Sequence, residues 1–200
     1  MIDKALILLK TELAAYLISK GDNAASVIID NIGLSETSAG NSLPDSMVIT
    51  LVNIEEESTL KNQSPLKRFP LAAAQYENPP VYLNLFVLMT CNYSGEGYLL
   101  ALKRLSLVIQ FLQSKNSFSS TITTSGGSAD PNDKQELKFT MELYTLTFEQ
   151  INYLWGSLGG RQVPFAMYKL RLIAISEHAM VREVPLIEEI ETNLSTLSGN

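Results

Sequence analysis

The chain is 200 residues long, 46% hydrophobic and 18% charged, a composition that supports one well-filled core and excludes a disordered polypeptide. A net charge of −6 and an isoelectric point near 4.9 argue against nucleic acid and against an anionic membrane surface, since both reward clustered Lys and Arg. One cysteine, Cys91, excludes an internal disulfide and a cysteine-based zinc cluster, and a single histidine, His178, leaves little for acid–base catalysis.

The first predicted element is a helix, because Ile2, Leu6, Leu9, Leu13 and Tyr16 recur at three- and four-residue steps. Gly21 and Asp22 end it. The opening stretch MIDKALILLKTEL is a poor secretory signal, with Asp3 ahead of a short apolar run. No stretch has the roughly 20 apolar residues a membrane span needs. The expectation is an intracellular protein. SVIID, at 26–30, predicts a small edge strand, followed by a turn-rich loop.

MVITLVNIEEES predicts an interior strand, with Val48, Thr50, Val52 and Ile54 on one face and Met47, Ile49, Leu51 and Asn53 on the other. The acidic run Glu55 to Glu57 reads as a solvated strand end. A long connection, residues 59–80, holds Lys61, Lys67, Arg68 and four prolines. Its length suits either an arm around a neighbouring subunit or a plain surface loop, and composition does not choose between them.

VYLNLFVLMTCNY is the most apolar strand, with Cys91 a small buried hydrophobe at its end. A long helix follows, with Tyr98, Leu102, Leu105, Ile109 and Leu112 as its apolar stripe and Lys103, Ser106, Gln110 and Gln113 as a polar seam. Leu99, Leu100, Leu107, Val108 and Phe111 widen the stripe, which suggests contacts on two sides. FSSTITT is a weaker strand, and LKFTMELYTLT alternates as a half-exposed one. Thr147 to Gln150 is a capping box that opens a short helix, with Phe148, Ile151, Trp155 and Leu158 on one face. FAMYKLRLIAIS is the last strand, with Tyr168, Leu170, Leu172 and Ala174 set against Lys169, Arg171 and Ile173. Trp155 and Tyr168 read as core rather than interface.

The stretch GSLGGR invites comparison with a phosphate loop. Such a loop needs its glycines before a helix, where free N–H groups face the anion. Here Gly159 and Gly160 follow the capped helix, so carbonyls and the negative dipole end point at them, and Arg161 is placed to cap those carbonyls. The sequence contains no HExxH, GxSxG, GxxxxGK[ST] or GxGxxG, and its carboxylates share no common centre. No catalytic residue, metal or cofactor is expected. The fold expectation is α+β: a single domain over residues 1–180, with helices packed on one face of a four- or five-stranded mixed or antiparallel sheet. Residues 181–200 form an acidic C-terminal tail that either docks as a short helix or stays mobile.

Four stretches, in this order, carry a resemblance: IDKALILLKTELAAYL; PPVYLNLFVLMTCNY; YLLALKRLSLVIQFLQSKNSF; and LYTLTFEQINYLWGSLGGRQVPFAMYKLRLIAI. Together they resemble the N-terminal domain of the cap, or tail-terminator, proteins of extracellular contractile injection systems, which are phage-tail-like particles. The most specific parts are PPVYLNLFVL and LWGSLGGRQVPFAMYKLRL, where the family shows a Leu-Gly pair, a Pro and a Tyr in that order. The resemblance implies a structural protein, not an enzyme. It implies a homo-hexameric ring that ends the inner tube and contractile sheath and joins them, assembled in the cytoplasm as part of a particle released extracellularly. Its implied partners are itself, tube and sheath proteins and a longer cap paralogue, since longer family members continue into a further domain. Lys67, Arg68 and Arg161 are the candidate subunit or partner contacts, and ordinary solvated charge is the competing reading. Two further functions stand beside this one. An adaptor would recruit a partner through residues 59–80, and a small hydrolase or transferase would use Arg161, Lys169 and a carboxylate in a deep polar pocket.

Overall fold

The computed structural model describes residues 1–34, 43–60, 66–67, 74–77, 79–93, 95–123, 134–175 and 180–184. Within them, the α+β class holds, with three α-helices and a larger sheet than expected. Helix α1 (Ile2–Ser19) is followed by β1 (Val27–Ile29), β2 (Ser46–Glu56), β3 (Leu66–Lys67), β4 (Ala74–Glu77) and β5 (Val81–Asn92). Then come α2 (Tyr98–Ser114), β6 (Ser117–Thr123), β7 (Lys134–Leu143), α3 (Phe148–Ser157), β8 (Phe165–Ile175) and β9 (Met180–Val184).

The main sheet has six strands in the order β1-β2-β5-β8-β7-β6. Only β1 pairs in parallel; every other neighbour is antiparallel. The two short segments read as minor strands, β1 and β6, form the edges of this sheet, which is why it exceeds four or five strands. A second sheet, β3-β4-β9, draws on the connection 59–80 and on the segment beyond β8. The strand β9 straddles the expected boundary at residue 180.

The helices do not share one face of the sheet. α1 and α2 cover one side, where Leu9, Leu13 and Val108 pack with Ile49, Leu85, Val87, Phe118, Phe139 and Leu170. α3 covers the other, where Trp155 packs with Ile32, Val48, Phe86, Leu88, Val163 and Met167. β5 is buried on both sides, which explains its nearly continuous apolar sequence. Cys91 lies in the first of these layers, and burial pushes its thiol up to about 12, so it packs as a hydrophobe.

Two β-bulges displace side chains from the alternation read in the sequence. Between Leu51 and Asn53 the β2–β5 register shifts, setting Ile54 opposite Leu85 and away from the face of Val48. In β8 the partner of Leu83 is Ile173 and that of Leu85 is Leu170, so Ile173 joins Leu170 in the core and does not lie with Lys169 and Arg171.

The C-terminus of α1 closes on Gly21, whose φ of 82° favours glycine. Its N–H bonds to Ile18 and the Asp22 N–H bonds to Leu17, so two end carbonyls are satisfied and Asp22 is aimed at α2.

Candidate functional site

The buried face of α2 is Ala101, Arg104, Val108, Phe111 and Leu112. Most of the stripe expected to face the sheet, namely Tyr98, Leu102, Leu105 and Ile109, flanks it instead. Arg104 explains the rotation. It sits three residues after Ala101 and four before Val108, on the apolar side, and is 4% exposed. Its Nε and Nη2 donate to the two Asp22 carboxylate oxygens at 2.8 Å each, and its Nη1 donates to the Tyr93 hydroxyl at 2.6 Å. The guanidinium beside Asp22 holds that carboxyl below its usual range. This fork fastens the end of α1 and the end of β5 to α2. The sequence signal was available: an arginine on the apolar side of a helix, with an acid just past the end of another.

The flank left by that rotation lines two open pockets. One, about 410 Å³, lies between Tyr98, Leu102 and Leu105 of α2 and the approach to β8, Gln162 to Phe165. The other, about 560 Å³, lies between Ile109, Leu112 and Gln113 of α2 and Met141, Glu142, Leu143 and Tyr168 of the sheet. Tyr98 and Leu143 are each 60% exposed. Both pockets are open and of mixed character, with Gln162 in the first and Gln113, Asn116 and Glu142 in the second beside the aliphatic and tyrosine side chains.

On the opposite side of the sheet, α3 covers only part of the surface. Its capping box is present, with the Thr147 hydroxyl accepting from the Gln150 N–H and the Gln150 side chain from the Thr147 N–H. Gly159, at φ 98°, and the bond from the Gly160 N–H to Trp155 O end it, as a helix C-cap and not a phosphate loop. Ile151, Trp155 and Leu158 pack inward, but Phe148 is 87% exposed and does not join them. Beyond α3 lies a polar network. Asn84 Nδ2 and Thr59 Oγ1 each donate to the Glu57 carboxylate at 2.8 Å, and Arg171 stands 3.9 Å from it and 3.3 Å from Glu142. These bonds, that from Asn84 foremost, lower the Glu57 carboxyl to about 2. The acidic strand end read as merely solvated is therefore partly organised.

Arg161 is exposed in the turn between α3 and β8. Lys67 lies on β3, opposite Gln75. Arg68 and His178 lie outside the described residues. Lys169 holds its ammonium 5.4 Å from the Phe86 ring centroid, on the α3 side of the sheet. Among the described residues no group of three or more His, Cys, Asp or Glu is arranged to hold a metal ion, and no helix is long and apolar enough to cross a membrane.

The family model of the Pvc16 N-terminal domain matches residues 7–189. Two solved structures share the fold. One is the sheath/tube terminator of an extracellular contractile injection system, PVC, in its extended state (TM-score 0.59, 13% identity, covering 97% of this chain and 64% of that one). The other is the tube-terminating cap of the anti-feeding prophage (TM-score 0.57, 14% identity, covering 97% of this chain and 61% of that one). The chain thus spans just under two thirds of the length of each structure. No curated protein matches the sequence.

Proposed function

The chain belongs to the Pvc16 N-terminal domain family, and from that premise we propose that it is a cap protein of a contractile injection system, forming a homo-hexameric ring that ends the tube and sheath and joins them. The observation that carries this reading is the match of fold over 97% of the chain to two terminators. The molecule has what such a part requires. Its double-sided core keeps the sheet rigid, its buried Arg104 fork fixes α2, and its most exposed apolar side chains sit on α2 and α3 rather than around a polar cleft. A heterologous contact repeated about a closed rotation turns such a subunit into a ring.

Lys67, Arg68 and Arg161 are proposed as contacts to an acidic neighbour, tube or sheath, within a particle that assembles in the cytoplasm. Light scattering after size exclusion, with negative-stain imaging, tests the ring. Six-fold rings that bind the end of isolated tubes are expected. A protein that stays monomeric at all concentrations and ignores tube and sheath overturns the reading.

A further inference from the structure

β6 is an edge of the main sheet: β7 pairs with one side of it, and no strand among the described residues pairs with the other. The Met141 N–H donates to the Asn116 carbonyl at 2.7 Å, which fixes the phase of the β6–β7 ladder. Phe118 and Ser120, opposite Phe139 and Leu137, therefore exchange bonds with β7. Ser117, Ser119, Thr121 and Thr123 turn their N–H and C=O groups the other way, off the edge of the sheet. Edge strands are normally blunted by charge, proline, a bulge, brevity or an overlying helix. β6 has none of the first four: its seven residues, SFSSTIT, are uncharged and pair with β7 without a register shift. The opposite edge, β1, is only three residues long.

The overlying helix is α1, and it covers β6 only in part. Lys115 reaches Glu12 at 2.8 Å, which holds α1 near the start of β6. Farther along, a cavity of about 460 Å³ opens between Ile7, Leu8 and Thr11 of α1, with Lys4 on the same ridge, and Ser120, Thr121 and Leu137 of the sheet. Ser120 shares the α1 face with Leu137, whereas Thr121 belongs to the other face. A cavity that touches both reaches the outer edge of β6. Ile7 is 53% exposed beside it. This geometry suits an extended polypeptide. The outward groups recur about every 7 Å, the repeat of a strand, and every second side chain of an added strand turns toward α1. A second copy of β6 fits poorly. Its Phe118 is already in its own core, and serine or threonine at five of its seven positions leaves the cavity largely empty.

We propose that β6 receives, beside α1, an extended segment of a different protein, which adds a seventh strand to the sheet and fills the cavity with apolar side chains from alternate positions. This goes beyond the cap reading and does not depend on ring formation. A displayed library of random eight-residue peptides, selected on the full chain, tests it. The peptides recovered should be apolar at every second position and free of proline. Ser119→Pro and Thr121→Pro each remove an outward N–H and leave the bonds to β7 in place, so each should weaken binding of the synthetic peptides at least tenfold. Ile7→Glu should do the same from the apolar wall. Peptides methylated on alternate backbone nitrogens make the test without altering the protein. Methylation in one phase should abolish binding, and in the other should change it by no more than about twofold. Recovery of no alternating peptide overturns the proposal, as does binding indifferent to the prolines and to the phase of methylation. A parent that dimerises, and that Ser119→Pro returns to monomer, overturns it in favour of a second copy.

Discussion

Arg104 is the residue on which the arrangement of α1, α2 and β5 turns. A guanidinium removed from water depends on its partners, and removing one of them leaves the other charge buried and unpaired. Asp22→Asn or Arg104→Leu should therefore destabilise the fold by ~3–5 kcal/mol in chemical denaturation, whereas Asp22→Leu combined with Arg104→Met should recover most of that loss. A recovery of nothing would mean that the fork does not act as a unit. Glu57 offers a test through pH. Its carboxyl is lowered from 4.5 to about 2, chiefly by the hydrogen bond from Asn84. Folding therefore favours the ionised form. The contribution is fully present above 4.5 and disappears as pH falls toward 2. Glu57→Gln should lower the melting temperature at pH 7, with the gap to the parent closing over that interval. A gap unchanged at low pH would show that packing, not charge, is what the substitution disturbs.

At the scale of elements, α3 shows how far local sequence reaches. Its box, its apolar positions and its glycine stop are all written within the fourteen residues from Thr147 to Gly160, and all are found in the structure except the placing of Phe148. Thr147→Ala should cost about 1 kcal/mol of stability by urea unfolding, and Thr147→Asp should restore it, since either side chain can accept from the Gln150 N–H. α2 shows the opposite. Leucines occur around most of its circumference, so the period alone did not reveal which arc faces the sheet, and the choice was made by Asp22, 82 residues earlier. The bulges in β2 and β8 depend likewise on a partner strand: a one-residue shift turns Ile54 and Ile173 to the other face, and nothing within either strand announces it. Strands as short as β3 and β4 carry too few residues for alternation to be read, so residues 59–80 read as a long connection, either an arm or a surface loop.

For the whole molecule, two kinds of surface compete to explain assembly, and they respond to salt in opposite ways. The α2 flank presents apolar side chains, with Tyr98, Leu102 and Ile109 each more than a third exposed. A contact made there releases water from aliphatic surface, and salt barely screens it. The proposed contacts of Lys67, Arg68 and Arg161 with an acidic partner would be ion pairs that weaken as the screening length falls from about 10 Å at 0.1 M to about 3 Å at 1 M. The net charge of −6 adds repulsion between copies that salt also relieves. Self-association through those apolar side chains should therefore hold or strengthen between 0.1 and 1 M NaCl, with Kd rising by no more than about twofold. Binding to tube or sheath through the basic residues should weaken at least tenfold over the same range and be lost in the combined variant Lys67→Glu, Arg68→Glu, Arg161→Glu. Sedimentation velocity for the first and co-sedimentation for the second read both on the same preparation. Rings that fall apart in 1 M NaCl would transfer the subunit contact from the α2 flank to the charged residues. Tube binding that survives both salt and the triple variant would remove those residues from the partner surface.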